Sequence, residues 1–390
     1  MWLVPHLRFP EFTGEWEKLK LDAFTERVMR KNKNNLSKLP LTISAQYGLV
    51  DQITFFNKVV ASTDMSNYYL LKKGEFAYNK SYSSDYPWGA IKRLDNYEQG
   101  ALSSLYICFA PQDNVESDFI LQYFESPKWH KGVSEIAVEG ARNHGLLNIS
   151  VQDFFHTYHY IPKDKKEQTK IAKLLMLLDK RIATQNKIIE KLQSLIKGIV
   201  ESAFNHATTS NTLGCYITQV SQRNKNGKNL PVLSVSNKHG FVEQSEQFED
   251  RIIASDDTSN YKIVSINDFA FNPARINVGS IARLKDKECG IVSPMYICFR
   301  TSKDILPEYL ELFFKTVTFS SEVGKRLEGS VRLCLSYESL CEIVIPVISI
   351  SEQQSLVKMV TAFYTKLDVE KGFLRNYQSQ KQYILSQMFI

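Results

Sequence analysis

The chain repeats itself. Setting its first half against its second aligns LPLTISAQYGLV from Leu39 with LPVLSVSNKHGFV from Leu230, ASTDMSNY from Ala61 with ASDDTSNY from Ala254, and EFAYN from Glu75 with DFAFN from Asp268. GAIKRL from Gly89 then matches GSIARL from Gly279, and SSLYICF from Ser103 matches SPMYICF from Ser293. The offset stays near 190 residues and the order never changes. Single short matches arise by chance, but a collinear series does not, so any fold for this chain must build one plan twice.

Each copy has two parts. About 150 residues read as short strands, because LTIS, FAYN and LYICF are aromatic or β-branched and Gly, Asn and Ser punctuate them. The 23 Phe and 19 Tyr suit aromatic-lined, strand-rich cores. Small helices are expected in FILQYFESPKW and its counterpart YLELFFKTV. A long helix follows a strand end at Ile161-Pro162 and again at Ile345-Pro346.

The long helices carry heptad seams. In the first, Ile171, Leu175, Leu178, Ile182, Gln185, Ile189, Leu192, Ile196, Ile199 and Ala203 alternate at steps of four and three. In the second, Leu356, Val360, Phe363, Leu367, Glu370, Leu374, Tyr377, Lys381, Ile384 and Met388 do the same, at a constant 185-residue offset. Such seams bury one stripe against a partner helix. Gln185 and Glu370 sit at the equivalent fifth position, where polar residues fix register and partner. Lys381 interrupts the second seam and is expected to weaken that end. The expected class is α+β: two similar strand-rich domains separated by two long helices forming an antiparallel coiled coil. The boundaries are 1–160 and 211–345 for the domains, 161–210 and 346–390 for the helices.

Composition narrows the function classes. Hydrophobic residues make up 43% and charged residues 23%, an ordinary globular balance that argues against disorder. The net charge of +6 is a mild excess, but it clusters: Arg27, Arg30, Lys31, Lys33 and Lys38 early, then Arg223, Lys225 and Lys228. Six cysteines form no CxxC pair. The opening MWLVPHLRFPEF is broken by Pro5, Arg8 and Pro10, and no apolar run reaches the roughly 18 residues of a membrane helix. These features point to a cytoplasmic protein with mostly buried free thiols and no membrane association.

Searches for catalytic motifs return nothing. No Gly-rich fingerprint precedes a helix and no P-loop appears. NPAR at Asn272 lacks the second Pro and the aromatic of an amine-methylating loop. His156 and His159 lack a third ligand at useful spacing and read as strand residues in FFHTYHYIP, so neither a metal nor a cofactor is expected. Cys108 and Cys298 fall at the same place in YICF, which reads as core rather than nucleophile.

The arrangement resembles the specificity subunits of type I restriction–modification systems, over nearly the full chain. The resemblance is carried by LRFPEFTGEWEKLKL from Leu7, GEFAYN and DFAFN, and GIVSPMYICF from Gly290. EGARNHGLLNI from Glu139, EGSVRLCLSYESL from Glu328, and the helix starts IPKDKKEQTKIAKLL and IPVISISEQQSLVKMV complete it. The second helix start departs by having SISEQQ in place of a proline-rich run. The resemblance implies two target-recognition domains, each reading half of a split site in double-stranded DNA. It also implies that the helices act as a spacer and dock two methyltransferase subunits, which restriction and motor subunits then join. A duplicated chain suits an asymmetric target, since its halves can diverge where a homodimer's cannot.

Base readout needs donors and acceptors, and phosphate contact needs cations. In the first domain the candidates are Asn79, Lys80, Tyr82, Trp88, Lys92, Arg93, Arg142, Asn143 and His144, with the loop residues Ser44, Gln46 and Tyr47. In the second they are Asn272, Arg275, Asn277, Arg283 and Arg332, with Ser236, Asn237 and Lys238. Asn79 and Asn272 also suit turns, Arg93 and Arg283 solvated strand positions, and Trp88 a core. Two rival functions remain. A standalone nuclease with duplicated recognition domains lacks the acidic cluster a divalent metal needs. A scaffold binding only protein would not explain two basic, strand-rich domains.

Overall fold

The computed structural model describes residues 3–58, 61–137, 146–207, 209–237, 239–244, 258–329 and 332–390. Met1–Asn186 with Gly372–Ile390 form one compact unit and Lys187–Lys371 the other. Each long helix therefore contributes residues to both units.

The first unit runs β1 (Glu17–Lys20), β2 (Thr25–Arg27), β3 (Pro40–Ser44), β4 (Gly48–Asp51), α1 (Gln52–Phe56) and β5 (Tyr69–Lys72). Then come β6 (Phe76–Asn79), β7 (Ala90–Arg93), β8 (Gln99–Leu102), β9 (Ile107–Pro111), α2 (Ser117–Glu125), α3 (His130–Ile136), α4 (Val151–Phe155), β10 (Tyr158–Ile161) and the long α5 (Lys165–Asn205). The second unit runs β11 (Ser210–Thr212), β12 (Ile217–Val220), β13 (Val232–Ser236), β14 (Gly240–Glu243), β15 (Lys262–Ser265), β16 (Phe269–Phe271) and β17 (Ile281–Arg283). It continues with β18 (Cys289–Val292), β19 (Ile297–Thr301), α6 (Pro307–Phe313), α7 (Val317–Lys325), α8 (Tyr337–Cys341), β20 (Val344–Pro346) and the long α9 (Ile350–Met388).

The sequence repeat is a repeat of topology. Sheet orders β2-β9-β6-β7, β4-β3-β8-β5 and β1-β10 in the first unit recur as β12-β19-β16-β17, β14-β13-β18-β15 and β11-β20 in the second. One pair in each set is parallel, β3 with β8 and β13 with β18, in matching register at Leu41–Leu102 and Leu233–Val292. Cross-strand aromatics anchor both cores. Phe76 and Phe109 stack at 5.4 Å and 9°, and Phe269 and Phe299 at 5.1 Å and 3°. A glycine lies beneath the equivalent leucine in each: a Cβ on Gly100 would sit 2.4 Å from Leu41, and one on Gly290 2.4 Å from Leu233.

Both expected seams form. Every seam position from Ile171 to Ala203 and from Leu356 to Met388 is buried or half-buried, Gln185 among the buried ones. In the first unit Ile171, Ala172 and Leu175 share a core with Ile384, Leu385, Met388 and Phe389. Further along, Arg181 lies 4.5 Å from the Tyr377 ring, so numbers rise on one helix as they fall on the other. In the second unit Gln193, Ile196 and Val200 line a recess with Tyr364, Leu367 and Lys371. Lys381, expected to weaken its end, has a carboxylate partner there. Its ammonium donates to Asp179 Oδ1 at 2.5 Å, and Asp179 also accepts from Gln122 Nε2 at 2.9 Å, so the charge is met inside the seam. SISEQQ is a helix start of a different kind, a capping box in which Ser349 N donates to Glu352 Oε2 at 2.9 Å and Glu352 N to Ser349 Oγ at 3.4 Å.

Other expectations are partly corrected. All six cysteines are free, but Cys108 and Cys298 alone are buried, while Cys215 is exposed and the others half-buried. Burial pushes the Cys108 and Cys298 thiols up to about 12, far from a thiolate at neutral pH. FFHTYHYIP is not all strand: His156 follows α4, whereas His159 is on β10. His159 is buried between Tyr123 Oη at 2.9 Å and Thr157 Oγ1 at 2.8 Å, and burial pushes it down to about 3. Among the described residues no three His, Cys, Asp or Glu side chains are grouped to hold a metal, and no helix is long and apolar enough to cross a membrane.

Candidate nucleic-acid interface

In each unit three loops gather at one end of the sheets. The first is the β3–β4 or β13–β14 hairpin tip. Buried Ser44 accepts from Tyr47 N through Oγ at 3.2 Å, which leaves Gln46 and Tyr47 exposed. In the second unit Ser236 Oγ likewise accepts from His239 N at 3.3 Å, and Asn237 is exposed. Tyr47 meets Phe55 of α1 edge-on at 6.4 Å, and Ile53, Phe55 and Phe56 are also exposed. The sequence reading missed that apolar cluster, whose signal was an aromatic pair on a one-turn helix. Lys238 lies outside the described residues, as do Arg142, Asn143 and His144.

The second loop follows β6 or β16. Asn79 Oδ1 accepts from Ser81 N at 3.0 Å, and Asn272 Oδ1 accepts from Ala274 N at 3.1 Å. Both asparagines therefore hold the same turn, in which the side chain imitates a backbone carbonyl. Beyond the turn the copies diverge. Tyr82 is exposed, while Trp88 packs half-buried on the core and its carbonyl accepts from Tyr78 Oη at 2.9 Å. In the second unit Arg275 and Asn277 are exposed. Ser280 Oγ donates to Val235 O at 3.2 Å, which ties this loop to the hairpin.

The third loop precedes α4 or α8. Leu147 N donates to Lys80 O at 2.9 Å, and Leu335 N donates to Pro273 O at 3.1 Å, the equivalent bond. Lys80 Nζ reaches Ile149 O at 3.3 Å. Arg332 is exposed on the second copy; Gly329 has φ +126, and a Cβ there would strike Arg332 O at 2.2 Å. Among the described residues neither Arg275 nor Arg332 has a carboxylate partner.

Three of the expected cations face elsewhere. Lys92 is buried and pairs with Glu125 at 2.6 Å. Arg93 pairs with Asp95 at 2.7 Å and Asp118 at 2.8 Å, joining β7 to α2. Arg283, the equivalent residue, pairs with Glu308 at 2.5 Å and Glu311 at 3.1 Å, joining β17 to α6. Strand-to-helix ion pairs thus repeat, and these charges are met inside each unit.

The opening motif and the helix starts also find partners. Arg8 grips Glu167 with two bonds of 2.7 and 2.8 Å, and Trp16 Nε1 adds a third at 3.2 Å. The adjacent Gln168 is buried. Its Oε1 accepts from Glu116 N at 2.8 Å and its Nε2 donates to Pro162 O at 2.8 Å. Gln353 repeats the clasp, accepting from Leu306 N and donating to Ile348 O, both at 2.9 Å.

No protein-family model matches the sequence, and no curated protein matches it. Among solved structures 12 chains match. One belongs to a structure concerned with complex assembly and conformational transition of the type I R-M system; it is 13% identical, 99% of each chain is covered, and the TM-score is 0.59. Another is the type I restriction–modification S subunit from M. genitalium, 17% identical, again with 99% of each chain covered, at a TM-score of 0.54. This chain has the type I S-subunit fold.

Proposed function

We propose that the chain is the DNA-reading subunit of a type I restriction–modification complex. Each strand-rich domain, 1–160 and 211–345, reads one half of a bipartite, asymmetric target. The helical segments 161–210 and 346–390 act as spacer and dock two methyltransferase subunits, with restriction and motor subunits added to that core. The chain itself is non-catalytic, needs no cofactor, and works in the cytoplasm. One observation carries the reading: an identical sheet topology is repeated while the loops at the same sheet end differ, with KSYSSDYPWGA after Asn79 and PARINVGS after Asn272. A shared scaffold with divergent, polar, exposed loops is what two readers of unlike half-sites require.

The DNA-facing set on this reading is Gln46, Tyr47, Asn79, Lys80 and Tyr82 in the first domain, and Asn237, Asn272, Arg275, Asn277 and Arg332 in the second. The test is a domain exchange. Residues 211–345 are replaced by the matching domain of a relative, and methylated sites are mapped in cells that also express the methyltransferase. The expected result is a change in one half of the target. A change in both halves, or DNA cleavage by the purified chain alone, would overturn the reading.

A further inference from the structure

A second basic loop is duplicated at the other end of the same strands. KNKNNLSK from Lys31 and RNKNGK from Arg223 lead into β3 and β13. Both are shaped by one buried asparagine. Asn32 Nδ2 donates to Ser37 O at 2.9 Å and its Oδ1 accepts from Ser37 N at 2.8 Å; Asn224 makes the same two bonds with Lys228, each at 3.0 Å. The main-chain N–H groups of Asn32 and Asn224 donate to Tyr68 O and Tyr261 O, both at 2.9 Å. Left-handed residues close each loop, Asn34 at φ 58 and Asn35 at φ 51 in one, Gly227 at φ 56 in the other.

That scaffold uses asparagine and backbone and needs no charge. Yet both loops carry a cation on each side of the asparagine, Lys31 and Lys33 in one, Arg223 and Lys225 in the other. Lys31 Nζ bonds Asn67 O at 2.8 Å and Arg223 bonds Asn260 Oδ1 at 3.0 Å. Lys33 and Lys225 are exposed and, among the described residues, have no partner. The base-facing loops differ between the copies, whereas this loop keeps its asparagine clasp and its flanking cations, closing one residue sooner in the second copy. A contact that must be the same at two unlike half-sites cannot be to bases. It can be to the phosphates, which are alike everywhere along a duplex.

Resting on the DNA-reading proposal above, we infer that the loops at 31–38 and 223–228 grip the DNA phosphate backbone, one at each half-site, with Lys33 and Lys225 as the contacting cations. The five residues of β3 set this loop about 16 Å from the hairpin tip, at roughly 3.3 Å per residue, so the gripped phosphates lie outside the bases that tip reads.

The test uses Lys33→Gln combined with Lys225→Gln, in the chain assembled with its methyltransferase partner. Both positions are exposed, so the fold is unaffected. Affinity for cognate and random duplexes is measured between about 50 and 200 mM salt; the slope of log K against log salt should become shallower by about 1.8, at 0.9 per phosphate. Both duplexes should weaken by the same factor, and the methylated sequence should not change. An unchanged slope overturns the inference, as does an altered methylated sequence, which would mean base contact. Failure of the variant chain to assemble overturns it too, since the loops would then face protein. If the unmutated complex shows no sequence preference, the DNA-reading proposal fails, while the slope still reports on the phosphate grip.

Discussion

Replacing Gln168 by leucine should loosen the first unit by a measurable amount. The side chain is 1% exposed and spans two elements, accepting from Glu116 N at the start of α2 and donating to Pro162 O ahead of α5. Leucine fills similar space but makes neither bond. Two net hydrogen bonds at about 1 kcal/mol each are lost, and leaving the N–H and carbonyl buried without partners brings the total to about 2–4 kcal/mol. For a unit of this size, about 2–4 °C per kcal/mol converts that to a fall of roughly 4–16 °C in the melting temperature. Gln353→Leu should do the same to the second unit, because its bonds to Leu306 N and Ile348 O are equivalent. Thermal unfolding followed by hydrogen exchange locates the effect. The Glu116 amide should lose protection in the first variant and the Leu306 amide in the second. Parent-like melting with both amides still protected would refute the clasp and return the EQ pairs to solvated helix starts.

Inserting one heptad in α5 beside Gln193 and one in α9 beside Leu367, which line one recess of the second unit, keeps the seam in register. Seven residues add about 10.5 Å at 1.5 Å each, or about three 3.4 Å base-pair steps, so surviving methylation should move to a longer spacer and activity should fall because the half-sites rotate by nearly a third of a turn. Methylome sequencing that finds full activity at the original spacer would discard the ruler role. His159 is neutral in the fold, its pKa pushed down to about 3 by burial against an ordinary 6.5, so the unfolded chain binds the extra proton. Stability is complete above pH 6.5 and declines as pH falls from 6.5 toward 3, by about 2 kcal/mol at pH 5 using 1.36 kcal/mol per unit; His159→Gln should flatten that slope in denaturant titrations. Gly100→Ala forces a Cβ within 2.4 Å of Leu41 and should cost about 1–3 kcal/mol in urea unfolding; a neutral result would mean the parallel β3–β8 pair is loosely packed.

Much of this molecule was readable before any coordinates. The duplication, both long helices and both seams followed from periodicity, because burying one stripe of a helix writes its period directly into the chain. The turn roles of Asn79 and Asn272 were readable as alternatives, since short polar side chains that imitate a carbonyl act locally. What sequence did not decide was which charge meets which. Arg93 and Arg283 looked like cations for a polyanion, and the carboxylates that tie them to α2 and α6, Asp118 and Glu308, each lie 25 residues away. Lys381 looked like a break in the seam until Asp179, 202 residues earlier, supplied its partner. Arg8 and Glu167 stood in two separate motifs with nothing to join them, yet they form one half-buried ion pair across 159 residues. Period and turn chemistry are properties of neighbours along the chain, so the sequence by itself determined them. Ion pairing and burial depend on distances that only the folded backbone creates, so the tertiary structure decided which cations serve the fold and which remain for a ligand.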